Sequence, residues 1–233
     1  MDRPVAVQLT MPVREQTRAR YPDESGYVER DGVRIYYEVY GSGEPTVLLL
    51  PTWSLVHSRH WKMQIPYLAR HCRVVAFDGR GNGRSDRPAD AAAYGEREFA
   101  ADALAVMDAT ETERAVIVGF SLGGQRGLLL AAEHPERIDA AVFIGPSFPG
   151  GGSPLPERTV YDFDTEYDTV EGWAKHNRFH WLRDYHNWVE FFITNWFPEP
   201  HSTKPIEDGV GWGLETDAET MIATMRRSGL TKS

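Results

Sequence analysis

Four short apolar runs, separated by longer helix-like stretches, constrain the fold of this chain more than any other feature. They lack the polar alternation of a strand that faces water on one side, and such runs are typical of strands that helices bury on both faces. They comprise residues 46–50, 73–77, 115–118 and 140–144, with helices predicted at 60–70, 96–107 and 124–133. We therefore predict an α/β protein with a mostly parallel sheet covered by helices.

Turn chemistry and composition divide the chain further. Residues 27–30 and 33–40 are β-rich and flank Asp31-Gly32, a dipeptide that favours a two-residue hairpin turn. Residues 1–24 show no periodicity and are predicted to be a loosely ordered N-terminal arm, followed by an α/β core over 25–149. A Gly- and Pro-rich segment at 148–154 introduces a predicted helical, aromatic-rich cap and tail over 150–233, which holds five of the seven tryptophans.

Composition excludes several classes of function. A net charge of −9, with no Lys/Arg cluster to offset it, argues against a nucleic-acid partner. The single cysteine, Cys72, cannot form an internal disulfide and is expected to be a small buried residue. No apolar run is long enough for a signal peptide or a membrane span. The sequence thus predicts a cytoplasmic protein without a membrane partner.

The pentapeptide Gly119-Phe120-Ser121-Leu122-Gly123 carries the chemistry of the chain. A Gly-x-Ser-x-Gly turn is a weak signal alone, but here it joins a predicted strand to a predicted helix. In that context the turn strains the serine and lifts its hydroxyl above the sheet, as a nucleophile requires. The free N–H groups at the helix N-terminus can stabilise a developing oxyanion.

Other candidate motifs are weaker. Residues 79–83 read Gly-x-Gly-x-Gly, not Gly-x-Gly-x-x-Gly, and no helix follows, so a dinucleotide site is not expected. Instead, Asp78 and Arg80 are expected to fix this turn internally. His176 and His180 have the spacing of a metal pair on one helix face, yet no glutamate of a His-Glu-x-x-His motif lies between them. We predict neither a metal site nor a cofactor. His134 is expected at a helix end.

These segments together resemble the α/β-hydrolase fold superfamily over about residues 25–147. Beside the serine turn, the resemblance rests on residues 41–51 at a strand entry, on the turn Asp-Gly-Arg-Gly-Asn-Gly-Arg-Ser at 78–85, and on Ala-Ala-Glu-His-Pro-Glu-Arg at 131–137. It implies a hydrolase, specifically a serine hydrolase acting on a small hydrophobic ester or related acyl substrate. This serine turn between strand and helix is the nucleophile elbow of the superfamily. A serine at the elbow argues against epoxide hydrolases and haloalkane dehalogenases, which use aspartate at that position. Carbon–carbon bond hydrolases and cofactor-free haloperoxidase-like enzymes share the serine.

The resemblance also implies roles for three residues. Ser121 would be the nucleophile, and the N–H of Leu122 would form half of the oxyanion hole. The other half comes from the loop after the third strand, where the family has His-Gly-x and this chain has Pro51-Thr52-Trp53. Trp53 is therefore the second candidate donor, although it could instead be an aromatic that only packs against the cap. Thr52 replaces a glycine and could restrict the loop.

The catalytic acid and base of the family have no counterpart after the cap. In the superfamily that the chain resembles, the acid follows a later strand and the base follows the last strand. Residues 215–233 suggest only a short amphipathic helix and a tail. The strand at 140–144 would then be an exposed sheet edge. The sequence predicts a truncated hydrolase, a chain completed by another polypeptide, or a homo-oligomer that pairs these edges. The alternative is a non-catalytic ligand-binding or interaction protein with this fold.

Overall fold

The computed structural model describes residues 18–147 and 160–226, and six strands within them form one sheet in the order β1-β2-β4-β3-β5-β6. Strand β2 pairs antiparallel with both of its neighbours, β1 and β4. Strands β4, β3, β5 and β6 run parallel to one another. The predicted fold class is confirmed. The strands are β1 Glu24–Arg30, β2 Val33–Tyr40, β3 Thr46–Leu49, β4 Arg73–Phe77, β5 Ala115–Phe120 and β6 Ile138–Ile144.

The hairpin between β1 and β2 forms at the predicted dipeptide. Arg30 pairs with Val33, and the two turn residues have positive φ angles, 53° at Asp31 and 75° at Gly32. Such angles at both positions match the right-handed twist of the strands. Residues 1–17 of the predicted arm lie outside the described residues. The residues that follow contact the sheet, because Arg18 forms a buried ion pair with Glu38 on β2.

Three helices belong to the core: α1 Ile65–Leu68, α2 Glu96–Ala109 and α3 Leu122–Glu133. The prediction of one helix over 60–70 is wrong, since residues 58–61 form a separate 3-10 turn and α1 is a single turn. Pro66 explains the late start of α1. Proline lacks an N–H and clashes with the preceding turn, so it is tolerated only in the first turn of a helix.

Apolar side chains cover both faces of the central strands. Leu48, Val75 and Ile117 pack with residues of α2 and α3 on one face. Leu49 and Val74 pack with Trp61 and Ile65 on the other. This two-sided burial explains why the strands read as unbroken apolar runs.

Strand β6 differs from the central strands because it lies at one edge of the sheet, opposite β1. Its residues are largely exposed, including Val142 at 48% and Ile144 at 45%. Within the described ranges it pairs only with β5, so its outer backbone groups face no strand. The exposed apolar edge expected from the sequence is thus present.

Residues 160–226 form helices, which we call the helical cap. They are α4 Arg178–Arg183, α5 Tyr185–Thr194, α6 Thr203–Gly213 and α7 Ala218–Arg226. Trp181 and Trp188 are fully buried and pack with Leu55 and Val56 of the core. The cap aromatics are therefore mainly the interior of this unit. No described helix is both long and apolar enough to cross a membrane.

The predicted boundary near residue 149, with the hinge-like segment at 148–154, cannot be assigned to an element. Residues 148–159, which include that segment, lie outside the described residues. The division into arm, core and cap stays a prediction.

Candidate active site

Ser121 occupies a sharp turn between β5 and α3. Its φ and ψ angles are 55° and −118°, a region that a non-glycine residue adopts only at a cost of about 1–3 kcal/mol. The strand ends at Phe120 and the helix begins at Leu122, so Ser121 is the single residue between them. Its side chain does not cap the helix. The strained serine turn inferred from the motif is therefore present.

Two glycines allow the turn to be this tight. A Cβ at Gly119 would lie 2.2 Å from the carbonyl oxygen of Gly123, so β5 and α3 could not approach so closely with any side chain there. A Cβ at Gly123 would lie 3.0 Å from the carbonyl oxygen of Pro51. The loop after β3 thus lies directly against the first turn of α3.

The backbone of Ser121 is held by the segment around the end of β6. Its N–H donates to the carbonyl of Ile144 at 3.0 Å, and its carbonyl accepts from the N–H of Ser147 at 3.0 Å. The N–H of Gly124 donates to the same carbonyl, also at 3.0 Å. The edge strand therefore supports the serine turn directly.

Two backbone N–H groups beside the turn have no acceptor within the described residues. They belong to Leu122, the first residue of α3, and to Trp53 in the loop after β3. The peptide carbonyls of Pro51 and Thr52 are bound by the buried guanidinium of Arg126, at 2.9 Å and 2.5 Å. The loop thus has a defined conformation although Thr52 replaces the expected glycine.

The side chain of Trp53 reaches into the cap. Its ring centroid lies 5.5 Å from that of Phe192 and 6.0 Å from that of Trp188, and its Nε1 donates to the hydroxyl of Thr224 at 2.9 Å. Trp53 therefore does pack against the cap, as one interpretation of the sequence had it. Its backbone N–H is nevertheless unengaged by any described acceptor, so the two interpretations do not exclude each other.

None of the histidines is bonded to the serine. All eight lie in the described ranges, and none of them hydrogen-bonds to the Ser121 hydroxyl in this structure. His134 lies at the C-terminal cap of α3, as expected, and His186 and His201 are exposed. The structure therefore places Leu122 directly after Ser121 and the start of the Trp53 loop, at Pro51, against the first turn of α3, and no described histidine hydrogen-bonds to the serine.

His176 and His180 do not share a helix face. His176 ends a 3-10 turn at residues 172–175, and α4 begins only at Arg178, because Asn177 caps that helix by accepting from the N–H of His180. The expected geometry of the pair was thus wrong. Across the part of the chain that is described, no group of three or more His, Cys, Asp or Glu side chains is placed to hold a metal ion.

Two histidines before the serine were overlooked in the sequence. His60 Nδ1 donates to the carbonyl of His57 at 2.8 Å, and burial lowers the pKa of His60 to about 4, which keeps the ring neutral. The ring of His60 lies 6.5 Å from that of Phe120, the residue next to the nucleophile candidate. Neither histidine stands in a motif, so only the fold reveals that they lie close to this end of β5.

His57 joins the core to the cap through charged groups. Its Nε2 lies 2.9 Å from an Arg59 nitrogen that also binds both carboxylate oxygens of Glu215, at 3.0 Å and 2.8 Å. Burial raises the pKa of Glu215, but its hydrogen bonds and charge interactions with His57 and Arg59 outweigh that effect and lower it. Lys62 and Asp208 form a second ion pair between core and cap.

The turn after β4 is fixed internally. Asp78 accepts from the hydroxyl of Ser58 at 2.6 Å and from the N–H of Arg84 at 2.9 Å. Arg80 is buried and forms two hydrogen bonds with Asp102, of 2.7 Å and 2.6 Å. These glycine-rich residues thus build a structural turn, and no nucleotide site is needed to explain them.

Comparison with known proteins identifies the family of the chain. The profile of the alpha/beta hydrolase fold matches residues 45–197, about two thirds of the chain, and the chain belongs to this family. It is similar to a 2-hydroxymuconate semialdehyde hydrolase of Pseudomonas sp. (strain CF600), with 37% identity over 120 residues, 49% of this chain and 40% of the relative. It is also similar to epoxide hydrolase B of Mycobacterium tuberculosis, with 37% identity over 113 residues, 46% of this chain and 32% of the relative.

A solved structure extends the likeness into the cap. Est816, described as an N-acyl homoserine lactone degrading enzyme, superposes with a TM-score of 0.67 and 25% identity. The superposition covers 88% of this chain and 72% of Est816. By contrast, the matches with the two curated relatives span only 40% and 32% of their lengths.

Proposed function

We propose that this chain is the nucleophile-bearing part of a serine hydrolase that cleaves an ester or related acyl bond. The observation that carries the proposal is the backbone of Ser121, at φ 55° and ψ −118°, with a side chain that does not cap the helix it precedes. A strained, uncommitted serine between strand and helix is the arrangement of a nucleophile elbow. Ser121 would attack the carbonyl carbon of the substrate.

The oxyanion would be held by the N–H groups of Leu122 and Trp53. Both lie beside the elbow, and neither has a described acceptor, which is the state expected of donors reserved for a ligand. Such donors act on the charge that develops on the carbonyl oxygen as the tetrahedral intermediate forms.

The base and acid would come from residues that extend the sheet beyond β6. No histidine of the chain bonds to Ser121 here, while the outer edge of β6 is unpaired among the described residues and apolar. A strand added there would continue the parallel ladder next to the elbow, where Ile144 and Ser147 already bind the Ser121 backbone. A further polypeptide segment, or a second copy of this chain, would fit this role.

The relatives support a substrate that is cleaved by hydrolysis, but they do not identify one compound. Est816 is described as degrading a lactone, a cyclic ester, which supports an acyl substrate. An epoxide is not proposed, because the family resemblance associates epoxide opening with an aspartate at the elbow, and Ser121 stands there. The single cysteine, Cys72, supports a cytoplasmic, reducing location.

A fluorophosphonate probe tests the proposal, since it reacts covalently with an activated serine. We expect labelling of Ser121 when the completing segment is present, and none in Ser121→Ala. The alternative, a non-catalytic ligand-binding or interaction protein, is favoured by the lack of a histidine at the serine. It predicts no labelling under any condition. Size-exclusion chromatography of the chain alone distinguishes edge pairing between copies from completion by another polypeptide.

A further inference from the structure

Arg126 is a buried cation whose contacts converge on the loop that carries Trp53. It lies on α3, one turn after the elbow, with its side chain 1% exposed. One terminal nitrogen donates to the carbonyls of Pro51 and Thr52 at 2.9 Å and 2.5 Å. Its Nε donates to Glu96 at 2.8 Å, and its guanidinium carbon lies 3.4 Å from the ring centre of Phe99.

Core packing alone does not explain a guanidinium here. Burial lowers the pKa of Arg126 in spite of the opposing effect of Glu96, which means that the site disfavours the charge. An apolar side chain would fill the same space without that cost. What the guanidinium adds is a partner for two consecutive carbonyls, neither of which accepts a backbone hydrogen bond in the described ranges.

The peptide geometry turns these carbonyl contacts into an effect on the Trp53 N–H. The peptide between Thr52 and Trp53 is trans, so its C=O and N–H point in opposite directions. Arg126 holds the Thr52 oxygen, and the Trp53 N–H must then point away from Arg126. This N–H is one of the two unengaged donors beside Ser121.

We propose that Arg126 is a positioning residue that orients the Thr52–Trp53 peptide and so presents the Trp53 N–H as an oxyanion donor. The oxyanion role of the Trp53 N–H rests on the proposed function. The orientation of the peptide by Arg126 does not. A charged donor at the carbonyl also polarises the peptide, which makes the N–H at the other end a stronger donor.

The test compares Arg126→Met and Arg126→Lys with a matched control, Arg80→Met. Arg80 is also buried, binds a carboxylate and donates to the carbonyl of Ala93 at 2.8 Å, but does not touch the loop at 51–53. The measurements are the ¹H–¹⁵N resonance and hydrogen exchange of the Trp53 amide, and the fluorophosphonate labelling rate of Ser121 corrected for the folded fraction.

In Arg126→Met we expect the Trp53 amide resonance to move and its exchange to change, with labelling slowed about 100-fold, as for loss of one oxyanion donor. Arg126→Lys keeps one charged donor and should lie between wild type and Arg126→Met, and Arg80→Met should match wild type in both measurements. An unmoved Trp53 amide in both Arg126 variants overturns the proposal, and so does equal slowing in Arg80→Met. If wild type is never labelled, the proposed function fails, while the amide measurements still decide the role of Arg126.

Discussion

The indole Nε1 of Trp53 donates a hydrogen bond to the hydroxyl of Thr224, 171 positions later in the chain. The loop beside the elbow is thereby tied to α7, the last described helix of the cap. Thr224 is 1% exposed, and its hydroxyl also donates to the carbonyl of Met221 at 2.7 Å. The placement of the cap and the shape of the elbow loop therefore depend on a common contact.

Replacing Thr224 by valine should destabilise the protein by about 1–2 kcal/mol, because the indole N–H of Trp53 and the carbonyl of Met221 lose a partner. In a Trp53→Phe background the same replacement should cost about 1 kcal/mol less, since no indole N–H remains. Urea unfolding of the four proteins in this cycle measures both costs. Equal costs in the two backgrounds would show that the bond contributes nothing.

Glycine replacements should separate close approach from helix propensity. Gly119→Ala places a Cβ 2.2 Å from the Gly123 carbonyl, and we expect a loss of about 1–3 kcal/mol in the free energy of unfolding. Gly211→Ala is the control, since no atom lies within 4 Å of its Cβ position in α6. It should stabilise the protein by about 0.5–1 kcal/mol. A neutral Gly119→Ala would contradict the tight turn described above.

The strain at Ser121 predicts a stability difference between two substitutions. Ser121→Gly relieves the positive φ and, after the flexibility cost of glycine, should stabilise the protein by about 1 kcal/mol. Ser121→Ala keeps the strain and should stay within about 0.5 kcal/mol of wild type, because the serine side chain caps nothing. Thermal unfolding of both variants checks this. An alanine variant as stable as the glycine variant would mean that the turn stores no strain.

The buried ring of His60 predicts a loss of stability in mild acid. Unfolded, the ring binds a proton near pH 6.5, whereas folded it does so only near 4, so the unfolded chain binds more protons between these values. This contribution is fully present above pH 6.5 and is lost as the pH falls to about 4, at a cost of about 3 kcal/mol.

Chemical unfolding at several pH values measures this dependence. His60→Asn keeps a donor for the His57 carbonyl and should reduce the loss of stability between pH 6.5 and 4, leaving the part that comes from His180, whose pKa burial also lowers. If His60→Asn follows the wild-type curve, the acid sensitivity arises elsewhere.

The sequence predicted the sheet because strands that are buried on both faces leave unbroken apolar runs, which can be recognised locally. Asp31-Gly32 likewise predicts its hairpin from turn chemistry alone. The helix predicted at 60–70 failed because Pro66 restricts where a helix can start, and side chains such as Trp61 pack against the sheet instead. The local sequence pattern cannot predict the packing of Trp61 against the sheet, because that contact joins residues distant in the chain.

The site was only partly predictable. The candidates Ser121 and Leu122 follow from a motif, since a tight turn requires glycines at fixed positions. The candidate Trp53 follows from the family resemblance. The role of Arg126 could not be recognised, because its partners in the loop are backbone carbonyls, which every residue carries and which leave no signature in the sequence. The shared helix face expected from the spacing of His176 and His180 is absent, because a helix that starts only at Arg178 separates them.

The Ser121 N–H donates to the carbonyl of Ile144 and the Ser121 carbonyl accepts from Ser147, so the nucleophile candidate depends on edge strand β6 and the residues that follow it. Edge strands open locally at lower free energy than central ones, and opening β6 would release both ends of the Ser121 backbone. Any polypeptide that pairs with the outer side of β6 would therefore do more than contribute side chains. By suppressing local opening of that edge, it would raise the fraction of molecules in which the strained serine is held ready to react.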